Sequence, residues 1–397
     1  MLTSIAIILL FGLLFGWIFS KLKLPSLLGM IIVGIIISPY ALHIIDDSIL
    51  MISGDIRQIA LVIILMRAGL SLNITDLKKV GRPAILMCFI PACIEILGTI
   101  MFAPILLNVT ILEAAIIGSV IAAVSPAVIV PRMIRLMEEG YGTEKGIPQL
   151  ILAGASVDDV FVIVIFTALT SLASTGAVAA VNFIQIPISI GLGILLGIIV
   201  GMVFVVFFKK FHMRDSIKIL IILSISFLLL EVQNRLEGIV PISGLLAIMS
   251  MGMIIKQKHD VLASRLSVKY NKLWLGAEIF LFVLVGATVD LKYAISAGTS
   301  AVLLIVTALL FRMTGVAISL IKTNLSKKER IFCMTAYTPK ATVQAAIGAI
   351  PLTMGLPCGQ IVLTVAVLSI LITAPLGALC IDNLYKKLLD IPKPTQI

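Results

Sequence analysis

Runs of about twenty apolar residues recur from one end of the chain to the other, and they restrict its fold more than any other feature. A helix of that length spans the hydrocarbon core of a bilayer and satisfies its own backbone hydrogen bonds there. We therefore predict an all-α polytopic membrane protein with 13 transmembrane helices. The predicted spans cover approximately residues 2–19, 25–43, 57–72, 83–107, 112–136, 148–172, 183–208, 216–233, 238–255, 274–291, 298–321, 330–352 and 359–381.

The composition excludes an ordinary soluble domain. Of the 397 residues, 60% are hydrophobic and only 13% are charged, whereas soluble domains carry about 25% charged residues. The net charge of +10 is compatible with nucleic-acid binding, but the positions of the basic residues argue against a nucleic-acid partner. The five cysteines form no CxxC pair and most lie in apolar runs, so we expect neither a resident metal nor a cofactor.

Basic residues collect in alternate loops of the predicted topology. Of the 30 Lys and Arg residues, 24 lie in loops after odd-numbered spans or at the span ends beside them, 3 lie in or beside loops after even-numbered spans, and 3 lie well inside spans. Cytoplasmic loops of membrane proteins are enriched in Lys and Arg. The pattern predicts an outside N-terminus and a cytoplasmic C-terminus, in a plasma (inner) membrane.

Two pairs of similar segments indicate an internal repeat. LPSLLGMIIVGIII and VPISGLLAIMSMGMII align Pro25 with Pro241. The span ends RAGLSLNITDLKK and VGATVDLK align Gly69 with Gly286, at nearly the same offset along the chain. Each pair is seven spans apart, an odd number, so we predict that the second copy is inverted in the membrane, as in many secondary transporters.

A third pair of segments, SPAVIVPRMI and TPKATVQAAI, aligns Pro126 with Pro339 at a similar offset, and Pro131 follows in the first of them. A proline inside a helix removes a backbone donor and frees a carbonyl. A simple kink is one explanation for each proline. The repeat-related Ser/Thr-Pro segments favour two broken helices that cross near the middle of the membrane, where opened half-helices form ion sites.

Six ionisable residues lie well inside the predicted spans: Arg67, Glu95, Asp158, Asp159, Arg312 and Lys340. Charges within a membrane are expensive and are usually paired. Glu95 and Arg312 are separated by the same offset as Gly69 and Gly286, and we predict that they form a buried ion pair. For Arg67, which is nearer a span end, a structural or gating pair is the favoured interpretation.

The adjacent carboxylates of Asp158 and Asp159, within GASVDDVFVIVIF, indicate an ion site. Successive helical residues project about 100° apart, so one carboxylate can meet a cation while the other faces a cavity. Lys340 is the natural partner for Asp158. Carboxylate oxygens bind hard cations, and one buried carboxyl group can hold a proton or a metal cation in turn. The alternative is that both side chains satisfy polar partners in a packed core.

Hydroxyl groups near the aspartates and the proline segments are candidates for further oxygen ligands of a transported cation: Ser125, Ser156, Thr338 and Thr342. Hydroxyl groups in membrane helices more often form hydrogen bonds between helices. For each of the four, that structural interpretation is the stronger one from sequence alone.

The segments GASVDDV, SPAVIVP, MTGV and TPKATVQAAIG resemble those of the NHA subgroup of the cation:proton antiporter-2 family, the sodium/proton antiporters. The resemblance implies two inverted repeats, homodimers in the lipid bilayer, and elevator-type alternating access in which a core slides against a panel. It implies panel helices 1–3 in residues 1–75 and 8–10 in 215–293, core helices 4–6 in 83–172 and 11–13 in 297–385, a linking helix in 183–210 and a short cytoplasmic tail in 386–397.

The resemblance also implies roles for single residues. Asp159 matches the main site for Na⁺ or Li⁺ and for protons, and Asp158 matches its companion near Lys340. Glu95 and Arg312 match a stabilising pair. Relatives that move net charge have lysine where this chain has Arg312, and arginine does not release its proton, which favours electroneutral exchange. Lys340 leaves this point open, because a buried lysine can titrate.

Other functions share some of these features. An intramembrane aspartyl protease needs aspartates on separate facing helices and a GxGD motif, whereas here the pair is contiguous and GATVD, Gly286 to Asp290, has the wrong spacing. We therefore expect a transporter and not an enzyme. A K⁺/H⁺ exchanger, and an organic-anion or bile-acid-type sodium symporter of similar fold, are the alternatives to Na⁺/H⁺ exchange.

Overall fold

The computed structural model of the protein describes residues 1–71, 81–175, 180–236, 240 and 242–390, and for a few of these, Ser156 among them, the backbone only. Every regular element in these residues is a helix, which confirms the predicted all-α class. The helices are α1 (Leu2–Lys21), α2 (Ser26–Ile37), α3 (Asp47–Met51), α4 (Ser53–Ser71), α5 (Arg82–Met87), α6 (Ile90–Leu107), α7 (Ile111–Ile121), α8 (Pro126–Glu139), α9 (Ile147–Thr175), α10 (Ala180–Lys210), α11 (Asp215–Arg235), α12 (Gly244–Lys258), α13 (Asp260–Ala287), α14 (Leu291–Ser319), α15 (Lys327–Ala336), α16 (Thr342–Ile347), α17 (Ile350–Thr353) and α18 (Gly359–Leu388).

Many of these helices are long and apolar enough to lie in a membrane. In the described residues, eight helical stretches are long and apolar enough to cross a bilayer, and shorter apolar stretches lie at Ser26–Ile37 and Thr342–Thr353. The chain is therefore an integral membrane protein. The count of 13 spans stays a prediction, because several predicted spans coincide with helices that are short or interrupted, such as α2 and α16.

Local sequence explains where several helices begin. The Thr110 hydroxyl accepts a hydrogen bond from the Glu113 N–H at 3.3 Å, and the Glu113 carboxylate accepts one from the Thr110 N–H at 2.8 Å, which starts α7. Ser326 and Glu329 form the same reciprocal pair at the start of α15. Asp290 accepts from the Lys292 N–H at 2.9 Å and starts α14. These side chains satisfy N–H groups that a helix leaves free at its start.

The chain divides into two compact units. The first unit comprises Met1–Met51, Thr75–Phe166 and Phe282–Ile397. The second unit comprises Ile52–Ile74 and Thr167–Leu281. The domains implied by the family resemblance, a core, a panel and a linking helix, stay a prediction.

Glycines allow one pair of helices in each unit to approach closely. In the first unit, a Cβ atom at Gly34 of α2 or at Gly286 of α13 would collide with a backbone carbonyl of the other helix. In the second unit, Gly69 of α4 and Gly252 of α12 lie against each other in the same way. Gly252 follows Gly34 at nearly the same offset at which Gly286 follows Gly69. The same contact therefore occurs twice, and each time it joins one helix from each copy of the repeat.

Two helical paths are interrupted where the Ser/Thr-Pro segments predicted breaks. Residues 122–125 separate α7 from α8, and residues 337–341 separate α15 from α16. The interruptions meet, because the Ser125 N–H donates to the Pro339 carbonyl at 2.7 Å. Pro126 is the first residue of α8, a position where a proline removes no intrahelical hydrogen bond.

Pro131 does not mark a break, and its inclusion among the broken-helix prolines is wrong. Helix α8 runs from Pro126 through Pro131 to Glu139. A proline at this position removes a single hydrogen bond to the residue four positions earlier. The rest of the helix tolerates that loss.

Candidate functional site

Four of the six predicted intramembrane charges converge inside the first unit. Glu95 lies on α6, Asp158 on α9, Arg312 on α14, and Lys340 in the interruption between α15 and α16. Each residue is at most 1% exposed. We call these four residues the buried charge cluster.

Arg312 is the centre of the buried charge cluster. Its Nη1 atom lies 2.8 Å from Glu95 Oε2, which confirms the predicted ion pair. Its Nη2 atom lies 2.7 Å from Asp158 Oδ2. The Nε atom donates to the Tyr337 carbonyl at 2.7 Å, and the guanidinium stands 5.0 Å from the centre of the Tyr337 ring. A planar guanidinium has five donors in a fixed fork, and this site uses most of that capacity.

Lys340 has a different partner from the predicted one. Its Nζ atom donates to both carboxylate oxygens of Glu95, each at 2.7 Å, and forms no ion pair with Asp158. The predicted Lys340–Asp158 pair is therefore wrong. The physical reason is that Asp158 Oδ2 already accepts from Arg312 and from the Val124 N–H at 2.9 Å, whereas Glu95 can hold two cations at once.

The interruption at residues 122–125 has its backbone groups satisfied from outside the segment. The Ala122 carbonyl accepts from Arg312, and the Ala123 carbonyl accepts from Gln344 Nε2 at 2.8 Å. The Val124 N–H donates to Asp158. A broken helix in a membrane requires such partners, because lipid supplies none. The buried charge cluster therefore also holds the broken backbone in place.

Sequence reasoning missed Gln344, which is fully buried in α16. Its amide N–H₂ donates to Ala123, while its Oε1 atom has no hydrogen-bond partner. Because the Ala123 oxygen can only accept, the amide orientation is fixed. The available signal was its place two residues after Thr342 in TPKATVQAAI.

Several buried oxygens at the two interruptions and on α9 have no hydrogen-bond partner: Ser125 Oγ, Asp158 Oδ1, Asp159 Oδ1, Thr342 Oγ1 and Gln344 Oε1. Buried polar atoms are nearly always bonded, so this set is unusual. Thr338 differs, because its hydroxyl donates to the Thr335 carbonyl at 2.8 Å within its own chain segment. The side chain of Ser156 lies outside the described residues.

The two aspartates have distinct surroundings, as their angular separation of about 100° predicts. Asp158 is fully buried and bonded to Arg312 and to the Val124 N–H. Asp159 is partly exposed, and none of the residues that the structure describes donates a hydrogen bond to it or forms an ion pair with it. Asp159 is thus the carboxylate whose charge has no cationic partner there.

Arg67 belongs to the second unit. Its guanidinium lies close enough to the Glu278 carboxylate to interact with it electrostatically. This arrangement fits a pair within that unit rather than a member of the buried charge cluster.

Comparisons with known proteins agree with this geometry. The family model described as "Sodium/hydrogen exchanger, transmembrane" matches residues 5–387. Human sodium/hydrogen exchanger 9B2 is 33% identical over 387 residues, covering 92% of this chain and 70% of that protein. Human sodium/hydrogen exchanger 9B1 is 32% identical over 391 residues, covering 92% of this chain and 73% of that protein.

A solved structure has the same fold. The sodium proton antiporter MjNhaP1 from Methanocaldococcus jannaschii superposes with a TM-score of 0.85 at 22% identity, covering 98% of each chain. The motif resemblance is therefore confirmed by the family model and by the curated relatives. The chain belongs to the sodium/hydrogen exchanger family, whose members are transporters and not enzymes.

Proposed function

We propose that this antiporter exchanges Na⁺ or Li⁺ for H⁺, one for one, and that Asp159 holds the cation and the proton in turn with Asp158 as its companion. The observation that carries the proposal is the pairing within the site. Glu95 forms ion pairs with Arg312 and Lys340, and Asp158 forms one with Arg312. Asp159 forms no ion pair with any described residue.

The charge balance explains one-for-one exchange. Two carboxylates and two bases of the buried charge cluster neutralise each other, so the net charge of the site is that of Asp159. One proton or one monovalent cation cancels that charge. An uncompensated charge within a membrane is costly, so the loaded site moves across the membrane more easily than the empty one. Both loaded forms are neutral, and the cycle transfers no net charge.

The unpartnered oxygens suit a hard cation. Na⁺ and Li⁺ prefer oxygen ligands, by extension from other hard cations. The carboxylates of Asp158 and Asp159, the hydroxyl groups of Ser125 and Thr342 and the amide oxygen of Gln344 each have a free oxygen. We propose that the transported cation takes its ligands from this set.

The bases of the cluster support electroneutral exchange. Arginine does not release its proton under physiological conditions, and Arg312 donates hydrogen bonds to four acceptors. Lys340 is held by both oxygens of Glu95. The proposal of electroneutral exchange requires that Lys340, which could titrate because it is buried, keeps its proton throughout the cycle. Neither base then carries a second proton.

The family resemblance extends the proposal to movement and assembly. We propose an elevator in which core residues 83–172 and 297–385 slide against panel residues 1–75 and 215–293, with residues 183–210 as the link. Homodimers in the plasma (inner) membrane would then exchange sodium for protons with the N-terminus outside, which suits pH homeostasis and sodium tolerance. The two interruptions that meet at Ser125 and Pro339 support a site carried by the core.

The test is exchange by the purified protein in lipid vesicles with a preset pH gradient. Addition of Na⁺ or Li⁺ is expected to dissipate the gradient, and Asp159→Asn is expected to reduce the rate to that of protein-free vesicles. Asp260→Asn, the same change at an exposed position paired with Lys256, is the matched control and is expected to exchange normally. Full activity of Asp159→Asn would remove the site assignment, and dissipation by K⁺ alone would identify a K⁺/H⁺ exchanger.

A further inference from the structure

The first turns of α4 contain a buried arginine. Arg57 is only 4% exposed, and its Nε atom donates to the Ser53 carbonyl at 3.2 Å. Its Nη1 atom, which carries two donors, is buried and has no hydrogen-bond partner. A buried guanidinium that is not fully bonded is rare, since each lost partner leaves a desolvated charge.

Arg57 has no counter-charge within the described parts of the chain. None of their Asp or Glu side chains forms an ion pair with it, and Asp55, in the same first turn, is exposed. Lys218, in the same unit, shows how a buried base is usually paired with a carboxylate. It is also buried, at 6% exposed, but its Nζ atom lies 3.5 Å from Asp215. Lys218 thus has a carboxylate partner, whereas Arg57 has none among the described residues.

The guanidinium is directed at the start of its own helix. Ser53 is the first residue of the 19-residue helix α4, so the bond from Arg57 Nε to its carbonyl folds the side chain back toward the N-terminus. The first N–H groups of a helix are free and carry the positive end of the helix dipole. The same place thus combines a helix N-terminus with an unpartnered, buried cation.

We propose that the N-terminus of α4 and Arg57 bind a phosphate-type anion. Planar guanidinium donors match phosphate oxygens, and helix N-termini bind phosphate through backbone N–H groups. Residues 59–66 of α4 form an uninterrupted apolar run, which supports placing the start of the helix at the depth of lipid headgroups. The same chemistry is available from two sources, the phosphodiester of a membrane lipid and a free, water-soluble phosphate such as choline phosphate.

The test is thermal unfolding of the full chain in lipid-depleted dodecyl maltoside micelles. Wild type and Arg57→Met are compared without additive, with dioleoylphosphatidylglycerol, with phosphate-free dioleoylglycerol and with choline phosphate. Methionine keeps most of the side-chain length and removes the charge. We expect the order of thermal stability of the two proteins to reverse when a phosphate compound is added. Without a phosphate source Arg57→Met is at least as stable as wild type, and with one the wild type gains about 3 °C or more while the variant does not.

Comparison of the additives identifies which phosphate compound binds. A gain with phosphatidylglycerol but not with choline phosphate assigns a lipid, and a gain with choline phosphate alone assigns the free anion. Arg235→Met, at an exposed arginine paired with Glu231, is the control and is expected to respond like wild type. Equal responses of wild type and Arg57→Met to every additive would overturn the proposal.

Discussion

The first unit contains two sets of ion pairs with similar geometry and very different surroundings. In the buried charge cluster the ion-pair distances are 2.7–2.8 Å and the side chains are at most 2% exposed. In a second set, which we call the end cluster, Arg132 and Arg135 of α8 bond to Glu139, Asp382 and Tyr385 at 2.7–3.2 Å. There the charged side chains are 18–53% exposed.

Because the distances are similar and the exposures are not, we expect exposure to determine how much each ion pair contributes to stability. Water can replace a partner that is lost from the end cluster, and exposed pairs therefore contribute little to stability. Nothing replaces a partner that is lost from the buried charge cluster, where the remaining charge would be left desolvated. The buried cluster is therefore expected to respond to substitution as a single unit.

The largest effect on stability is expected from Glu95→Gln. This change removes the carboxylate from both Arg312 and Lys340. We expect a loss of about 3–5 kcal/mol in the free energy of unfolding, because buried Lys340 loses its carboxylate and Arg312 loses one of its two. The midpoint of thermal unfolding in detergent measures it. Glu139→Gln in the end cluster is the matched control, and equal midpoints for the two variants would refute the contrast between the clusters.

The next largest effect is expected from Arg312→Lys, which keeps the charge and removes the fork. A lysine cannot reach Glu95, Asp158 and the two backbone carbonyls at once. Because the interruption at 122–125 then loses a partner, we expect Na⁺/H⁺ exchange in vesicles to fall by about tenfold or more, the equivalent of about 1.4 kcal/mol. Arg132→Lys in the end cluster is expected to exchange at nearly the wild-type rate. Comparable rates for the two variants would count against a special role of the guanidinium.

A smaller effect is expected from Gln344→Leu, which frees the Ala123 carbonyl and removes a candidate oxygen ligand. An unsatisfied buried acceptor costs about 1–3 kcal/mol. We expect the KM for Na⁺ to rise more than the maximal rate falls, because the proposed cation site would lose one oxygen ligand. Gln149→Leu, at an exposed glutamine of α9, controls for the loss of an amide. A loss of stability with an unchanged KM would show that Gln344 stabilises the fold but does not bind the cation.

The smallest effect concerns the Lys145–Glu329 pair, whose atoms are 2.8 Å apart outside the predicted spans. Burial would raise the pKa of Glu329, but hydrogen bonds from Lys145 and Ser326 outweigh it and hold this pKa below the ordinary 4.5. The hydrogen bond to Glu329, opposed by desolvation, raises the pKa of Lys145 above the ordinary 10.5.

The two pKa shifts define the pH range over which the Lys145–Glu329 pair stabilises the fold. A lowered carboxyl pKa contributes stability above its unfolded value and loses it as pH falls through the folded value. A raised lysine pKa contributes below its unfolded value and loses it as pH rises through the folded value. Thermal unfolding of wild type and Glu329→Gln is expected to differ slightly and constantly between about pH 5 and pH 10, and to converge below about pH 4. A difference that grows on acidification would contradict this assignment.

Much of the fold could be predicted from sequence because lipid permits few structures. The apolar runs indicated an all-helical membrane protein, and the constant offset between repeat-related residues identified the Glu95–Arg312 pair. Helix interruptions were predicted from paired Ser/Thr-Pro segments, since a proline at such positions removes backbone hydrogen bonds. The role of Pro131 was misread because a helix survives the loss of a single bond.

The detailed pairing could not be predicted in the same way. Lys340 had two carboxylates as possible partners, and only the three-dimensional arrangement shows that Asp158 is already bonded while Glu95 accepts two cations. Gln344 carries no charge, and its place two residues after Thr342 did not by itself indicate which group it bonds to. Its role depends on a backbone carbonyl that lies far away in the chain, at Ala123.

We propose that Asp159 is the site carboxylate that lacks a cationic partner among the described residues, so that one cation is exchanged for one proton. The most direct measurement is the null point of exchange in vesicles under an imposed membrane voltage. We predict that net flux stops when the Na⁺ and H⁺ concentration ratios across the membrane are equal, at every voltage. A null point that moves with voltage would contradict the account, because it would require net charge to cross in each cycle.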